Sequence, residues 1–243
     1  MKKILLMACL IFTALQSQAQ QVTEIWTNYD GFWNSSKAGT SPGINSVKPD
    51  DSHELLAFRF NGTIYSTGVD DQKLTDNGVS FTAKTWRALP VASIPNTVAF
   101  PRLIGLGQLA DGINNGVDNT STNPLQTSVG VSLSEAEVAS YLTDGIQGLD
   151  LGTNATNIEG GTDVKFNLSS SGITEGNVGD GIPDILISQT ALPSSNTDEL
   201  KFVESDGVTI VGNVVALDIT QEPVSGNWDV DFYKFVASEL TSR

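Results

Sequence analysis

An Asn-Gly pair between two runs of β-forming residues is the feature that most constrains the fold. Residues 53–60 read His-Glu-Leu-Leu-Ala-Phe-Arg-Phe, Asn61 and Gly62 follow, and residues 63–67 read Thr-Ile-Tyr-Ser-Thr. Both turn residues of a two-residue hairpin must tolerate positive φ, as asparagine and glycine do. Alternate positions of the first run carry large apolar residues on one face: Leu56, Phe58 and Phe60. The segment therefore predicts an antiparallel hairpin.

Strand patterns recur along the chain, separated by stretches rich in glycine, asparagine, serine, threonine and aspartate that favour turns. Asp206-Gly207 predicts a turn between two of these strands. Further strands are predicted at 79–81, 85–89, 98–104, 164–168, 184–189, 199–203, 208–217 and 228–232.

One short helix is predicted near 134–143. Ser134 and Glu137 have the spacing of a capping box, in which each residue satisfies a free backbone N–H of the first turn. Gly145 follows where a helix of this length would end. Many strands with one small helix predict a mainly β protein, an antiparallel β-sandwich or jelly-roll-like fold.

The first 19 residues have the pattern of a secretory signal peptide. Lys2 and Lys3 precede an apolar run over residues 4–15, which is too short to span a membrane, and small residues end at Ala19. The remaining residues, 20–243, are expected to form a single β-rich extracellular domain. The only cysteine, Cys9, lies in the apolar run, so a disulfide, a zinc–thiolate site and a thiol nucleophile are excluded from the mature chain.

The mature chain is strongly acidic. Removal of the leader leaves 11 basic against 28 acidic residues, a formal charge of −17. Such a surface repels nucleic acid and anionic lipid, so we expect neither nucleic-acid binding nor membrane insertion after cleavage. Bound cations would reduce the repulsion between the carboxylates.

A recurring Asp-Gly-Ile turn, at 111–113, 144–146 and 180–182, supplies the candidate calcium sites, since each copy is followed by a further aspartate. Aspartate oxygens suit a hard cation, and glycine allows the sharp bend that such loops need. The alternative is that all three are ordinary Asp-Gly turns. The candidate metal ligands are Asp111, Asp118, Asp144, Asp150, Asp180 and Asp184.

Catalytic patterns are sparse. His53 is the only histidine, which excludes a multi-histidine zinc site, and no Gly-x-Ser-x-Gly elbow accompanies it. Paired carboxylates could cleave glycosidic bonds, and some pair will always be suitably spaced among 28 acidic residues. We therefore predict no catalytic residue and keep a secreted polysaccharide-active hydrolase as an alternative.

Aromatic residues near the start of the mature chain are the candidate ligand-binding residues. Tyr29 and Trp33 lie in a stretch rich in glycine, serine and asparagine, and flat rings can stack on sugar faces. Trp33 is expected to be the most exposed tryptophan, with core or edge packing as the alternative. Trp86 and Trp228 lie in strand-like runs and are expected in the core.

Several segments resemble secreted β-rich modules of Bacteroidota, especially flavobacterial-type surface and adhesin-like proteins. They include 29–33, 48–58, 65–71, 87–90, 104–108, 142–152, 179–190 and 226–233. The resemblance implies export to the cell surface and implies no known reaction. Relatives of this kind continue with further strands, so a C-terminal truncation is expected. The segment 179–184 also resembles the second half of thrombospondin-type calcium repeats, although Gly176 and Val178 stand where those repeats have further carboxylates.

These observations predict a secreted or cell-surface interaction module that is non-enzymatic and supported by calcium. Its expected function is adhesion or glycan binding, with an extracellular glycan or a surface protein as partner. Besides the hydrolase, a purely structural spacer domain of a surface protein remains an alternative.

Overall fold

The computed structural model describes residues 21–28, 31–37, 54–93, 102–106, 139, 142–143, 145–151, 153–156, 163–168, 173, 177–188, 197–218, 220, 231–234 and 239–242. Every pair of strands in these residues is antiparallel. The prediction of a mainly β chain with antiparallel sheets is confirmed. The strands are β1 Val22–Thr27, β2 Trp33–Asn34, β3 Leu55–Phe60, β4 Thr63–Ser66, β5 Val91–Ser93, β6 Arg102–Leu106, β7 Thr153–Thr156, β8 Lys165–Phe166, β9 Asp198–Val203, β10 Ile210–Leu217, β11 Asp231–Lys234 and β12 Glu239–Ser242.

The chain divides into two compact units. One consists of Met1–Gln21 with Pro193–Pro223, and the other of Val22–Leu192 with Val224–Arg243. The first unit contains the hairpin of β9 and β10, and the second contains all the other strands. The prediction of one domain over 20–243 stays a prediction.

A four-stranded sheet in the order β2-β1-β3-β4 forms the best-packed part of the second unit. Its β3–β4 hairpin turns at Asn61 and Gly62, whose φ angles of 47° and 79° are both positive. Phe60 pairs with Thr63 across this two-residue loop, so the predicted hairpin is confirmed in position and register.

Both faces of β3 are buried, which explains why this strand anchors the core. Phe58 and Phe60 pack with Tyr65 in one cluster, and the Phe58 ring meets the Trp86 ring edge-on at a centroid distance of 5.2 Å. Leu56 and Ala57, both 0% exposed, belong to a second cluster. Trp86 is partly buried and packs against this cluster, at the margin of the core in which it was expected.

A short helix, α1 (Asp71–Asp76), completes the second cluster. Asp70 caps the helix by accepting a hydrogen bond from the backbone N–H of Lys73 at 2.9 Å. Leu74 is completely buried in the cluster, and Val69, which precedes the cap, packs against the same cluster. The apolar residues on either side of the cap thus act as a hydrophobic staple.

This helix was not predicted, and the predicted one near 134–143 is described only in part. Ala139 and Leu142 are helical, and the hydroxyl of Thr143 donates to the carbonyl of Ala139 at 3.0 Å. Residues 134–138 and 140–141, including the proposed capping box, lie outside the described residues.

An ion pair crosses from β1 to β3. Arg59 Nε lies 2.7 Å from Glu24 Oε2, and the Arg59 guanidinium lies over the Trp26 ring at 5.4 Å. Partial burial raises the pKa of Glu24, but hydrogen bonds from Ser36, Arg59 and Asn34 outweigh it, so the pKa lies below its ordinary value. The pair therefore holds two strands together on the side of β3 that carries Arg59.

The remaining sheets have the orders β12-β11-β6-β7 and β5-β8. Strands β6, β8 and β11 overlap the predicted strands at 98–104, 164–168 and 228–232. None of the helices in the described ranges is long and apolar enough to cross a membrane.

Three strand predictions, at 79–81, 85–89 and 184–189, are wrong over the residues described. Residues 79–81 and 85–89 belong to no strand, and between 79 and 89 only Thr82 makes a bridge, parallel to Tyr65. The segment is instead fixed beside β4 by single hydrogen bonds, such as that from Trp86 N to Thr67 O at 2.9 Å. Residues 184–188 form no strand either.

Candidate functional site

The second Asp-Gly-Ile turn is built around a buried carboxyl group. Glu54 is 0% exposed, and its Oε1 accepts a hydrogen bond from the backbone N–H of Ile146 at 2.6 Å. Gly145 has φ +86° and ψ −178°, a conformation open almost only to glycine. A Cβ atom on Gly145 would lie 2.5 Å from Glu54 Oε1 and 2.6 Å from the Cβ of Asp150.

Further contacts fix this turn against β3 and its surroundings. Leu55 donates its N–H to the carbonyl of Leu149 at 2.9 Å, and Ala88 donates to the carbonyl of Gln147 at 2.8 Å. The N–H of Glu54 in turn donates to the side-chain oxygen of Asn28 at 2.8 Å. The turn therefore has a structural role, joining segments that are distant in sequence at the start of β3.

The third turn brings two candidate ligands close together. Asp180 Oδ1 accepts from the N–H of Ile182 at 2.8 Å, which closes an Asx turn. Burial and then the negative charge of Asp180 raise the pKa of Asp184. Ile182 and Leu186 pack against the cluster of Phe58, so the loop that carries both aspartates is anchored on the core.

The structure places the other candidate ligands less fully. Asp150 forms an isolated antiparallel bridge with Glu54, at the edge of the second turn. Across the described ranges, histidine, cysteine, aspartate and glutamate form no group of three or more that could hold a metal ion. Asp111, Asp118 and Asp144 lie outside the described residues, as does His53.

Trp33 is buried, which differs from the expectation of an exposed ring. It lies in β2 and is 5% exposed, and β2 pairs with β1 so that Trp33 stands opposite Thr27. The core-packing alternative therefore describes this residue. Tyr29 and Trp228 lie outside the described residues.

The β9–β10 hairpin presents a surface that the sequence analysis missed. Phe202 pairs with Val211 and Leu200 pairs with Val215, so these four side chains share one face, here termed the apolar face. Leu200 is 40%, Phe202 50% and Val211 48% exposed, while Val215 is half-buried. This is a set of neighbouring large apolar side chains with access to solvent.

The turn of this hairpin is well defined. Asp206 Oδ1 accepts from the N–H groups of Val208 and Thr209, both at 2.8 Å. Gly207 donates to the carbonyl of Glu204 at 2.8 Å, which confirms the predicted Asp206-Gly207 turn. Val208, which is 77% exposed, lies in this turn and outside the apolar face.

The hairpin that carries the apolar face is strongly acidic. Between 198 and 218 the only basic residue is Lys201, against five acidic ones: Asp198, Glu199, Glu204, Asp206 and Asp218. The hairpin thus combines an exposed apolar face with a strongly negative field.

A sequence signal for this surface exists in the strands themselves. Ile210 and Val211 are adjacent, as are Val214 and Val215, so β10 has apolar residues on both faces. A two-stranded sheet cannot bury both faces without further cover. The pattern predicts ordinary strands, because periodicity alone does not say which face another element covers.

Comparison of the chain with protein-family models, with curated proteins and with solved structures gives no match.

Proposed function

We propose that the chain is a secreted, non-enzymatic interaction module that attaches to another surface protein through the β9–β10 hairpin. The observation that carries the proposal is the apolar face, in which Leu200, Phe202 and Val211 are 40–50% exposed side by side. Contiguous exposed apolar side chains rimmed by polar groups are typical of protein–protein contact sites.

Energetics support the same conclusion. Full burial of a valine, leucine or phenylalanine side chain stabilises a complex by about 1.5–3 kcal/mol relative to exposure. The side chains of the apolar face remain partly exposed, so much of this stabilisation is not realised in the free chain. A two-stranded hairpin is also only marginally stable by itself. A partner that covers the face would gain the burial and stabilise the hairpin at once.

A protein partner fits this surface better than a glycan. Three of the four side chains of the apolar face are aliphatic, and aliphatic groups lack the flat ring that stacks on a sugar. Trp26 and Trp33 are 4% and 5% exposed, so neither offers an open ring face. Adhesion through protein contact is therefore the preferred form of the interaction.

The wider setting of the proposal comes from the sequence. Export through the leader over residues 1–19 would place the module at the cell surface, and its antiparallel sheets would stack as a sandwich or jelly roll. We also propose that calcium supports the loop of Asp180 and Asp184, since a bound cation would relieve the repulsion that raises the pKa of Asp184.

Two alternatives differ in what they predict. A polysaccharide-active hydrolase would use a carboxyl pair, and Asp180 with Asp184 is the pair whose charges interact. A spacer domain would neither bind nor turn over anything. The hairpin favours the interaction module over both, because neither alternative gives a reason for its apolar face to stay exposed.

The test uses the mature chain, residues 20–243, immobilised and exposed to solubilised extracellular surface proteins, to a glycan array and to a panel of polysaccharides. The proposal expects a saturable protein partner whose binding drops roughly tenfold or more in a Phe202→Thr variant, since the ring loses its buried contact. A matched Val208→Thr variant should bind like the wild type. Release of reducing sugar by the wild type, lost in an Asp184→Asn variant, would instead establish the hydrolase.

A further inference from the structure

We propose that the outer edge of β9 receives an extended segment of the partner protein, in which apolar residues alternate and lysine or arginine residues flank them. This inference rests on the proposed function and specifies its partner. It differs from it in naming the strand that is contacted, the conformation of the bound segment and the charge of its ends.

The two edges of the hairpin are not equivalent, and β9 is the regular one. The pairing shifts between Val211 and Val215, and Gly212 within the shift has φ +77°. Such a bulge bends the strand and disrupts the spacing of its backbone groups, which blocks further pairing on that side. β9 runs through six residues, and within the described chain only β10 pairs with it.

The side chains of β9 alternate in the manner that strand addition needs. Leu200 and Phe202 point to the apolar face, and Glu199 and Lys201 point to the other. A strand added beside β9 would lie about 4.8 Å away and place every second side chain against Leu200 and Phe202. Main-chain hydrogen bonds would supply affinity and the apolar face would select the alternating pattern.

Charge decides between a second copy of this chain and a basic partner. The hairpin carries five carboxylates against Lys201, and the mature chain has 28 acidic against 11 basic residues. Two copies that paired through β9 would bring like charges together, which is destabilising at directly opposed positions. A segment with lysine or arginine at its ends gains attraction from the same carboxylates.

The probes are two short synthetic peptides in which valine and threonine alternate, one with lysine pairs at its ends and one with glutamate pairs. Binding to the mature chain is measured by the shifts of backbone amide NMR signals. We expect the lysine peptide to bind roughly tenfold or more tightly than the glutamate peptide at low salt, and salt to reduce the difference. The largest shifts should fall on Asp198–Val203.

Two variants separate binding from folding. Phe202→Thr should weaken the lysine peptide roughly tenfold, while Val208→Thr, the same kind of change in the turn, should leave it unchanged.

Equal binding of both peptides, or shifts confined to other strands, overturns the inference. An absence of binding by both peptides overturns it as well. If the mature chain still captures a partner protein, and Phe202→Thr abolishes that capture, the proposed function stands even though the inference about β9 fails. Loss of that capture, with peptide binding intact at β9, would instead remove the proposed function and keep the edge as a peptide site.

Discussion

Replacement of Gly145 by alanine tests whether the second Asp-Gly-Ile turn is a structural joint of the core. Gly145 has φ +86° and ψ −178°, and its missing side chain leaves room for the Glu54 carboxyl group. The added Cβ would lie 2.5 Å from Glu54 Oε1 and 2.8 Å from Glu54 Oε2. Either the turn or Glu54 must move.

The expected loss has two parts. An alanine forced into this backbone region costs about 1–3 kcal/mol. Displacement of Glu54 also breaks its hydrogen bond from Ile146 at 2.6 Å and leaves a completely buried polar group poorly satisfied, which costs about 1–3 kcal/mol more. We therefore expect G145A to lower the free energy of unfolding by about 2–6 kcal/mol.

Gly179 provides the matched control. It also has positive φ, +81°, but a Cβ atom there would meet nothing within 4 Å. G179A should therefore show only the backbone cost. The two variants are compared by urea unfolding and by thermal melting, in which each kcal/mol corresponds to a shift of about 2–4 °C for a chain of this size. If G145A were no less stable than G179A, the packing of Glu54 against the turn would be refuted.

Four further predictions concern the core, two carboxyl groups and the proposed calcium site. Phe58→Ala should lower the free energy of unfolding by about 3–5 kcal/mol, because Phe58 is 1% exposed, whereas Phe166→Ala, at a residue 48% exposed, should cost less than about 1 kcal/mol in the same urea titration. The pKa of Glu24 is lowered in the folded state. The charged carboxylate therefore stabilises the fold at pH values above the pKa of the unfolded chain, and this stabilisation is lost as pH falls through the folded-state pKa. Glu24→Gln should lower the free energy of unfolding by roughly 0.5–1 kcal/mol at neutral pH and by nothing in strong acid, measured by unfolding at a series of pH values. The pKa of Asp184 is raised in the folded state, so the free energy of unfolding of the wild type falls as pH rises through that pKa. Asp184→Asn should therefore be more stable than the wild type at neutral pH and equal to it in acid. Calcium at ten times its dissociation constant should add about 1.4 kcal/mol to the wild type, and an unchanged melt after chelation would remove the proposed calcium site.

Local signals in the sequence predict the hairpins well because their cause is local. Asn61-Gly62 and Asp206-Gly207 turn the chain where predicted, since few other residues accept the backbone angles these turns need. The approximate positions of β9 and β10 follow from the same kind of pattern.

The failures come from contacts between residues distant in sequence. Residues 85–89 have the composition of a strand, yet the backbone beside them offers hydrogen bonds only at isolated points such as Thr67. Trp33 lies in a polar stretch, yet it is 5% exposed in a strand that pairs with β1. Glu54 is an acidic residue at the start of a predicted strand, yet it is 0% exposed and its carboxyl group accepts a hydrogen bond from Ile146, 92 residues away.

The candidate site shows the same limit. The sequence indicates where the carboxylates are, and the interaction between Asp180 and Asp184 agrees with their spacing in one turn. Exposure of the apolar face could not be predicted, because it depends on whether another part of the chain packs against the hairpin. Burial is a property of the whole fold, and alternation within a strand records only which residues share a face.

The most direct test of the central claim is hydrogen–deuterium exchange of the mature chain, with and without the surface protein it captures. The account predicts slowed exchange at the backbone amides of 198–203, with little change in the four-stranded sheet of β1 to β4. Slowed exchange elsewhere, with 198–203 exchanging as in the free chain, would show that the hairpin is not the binding surface.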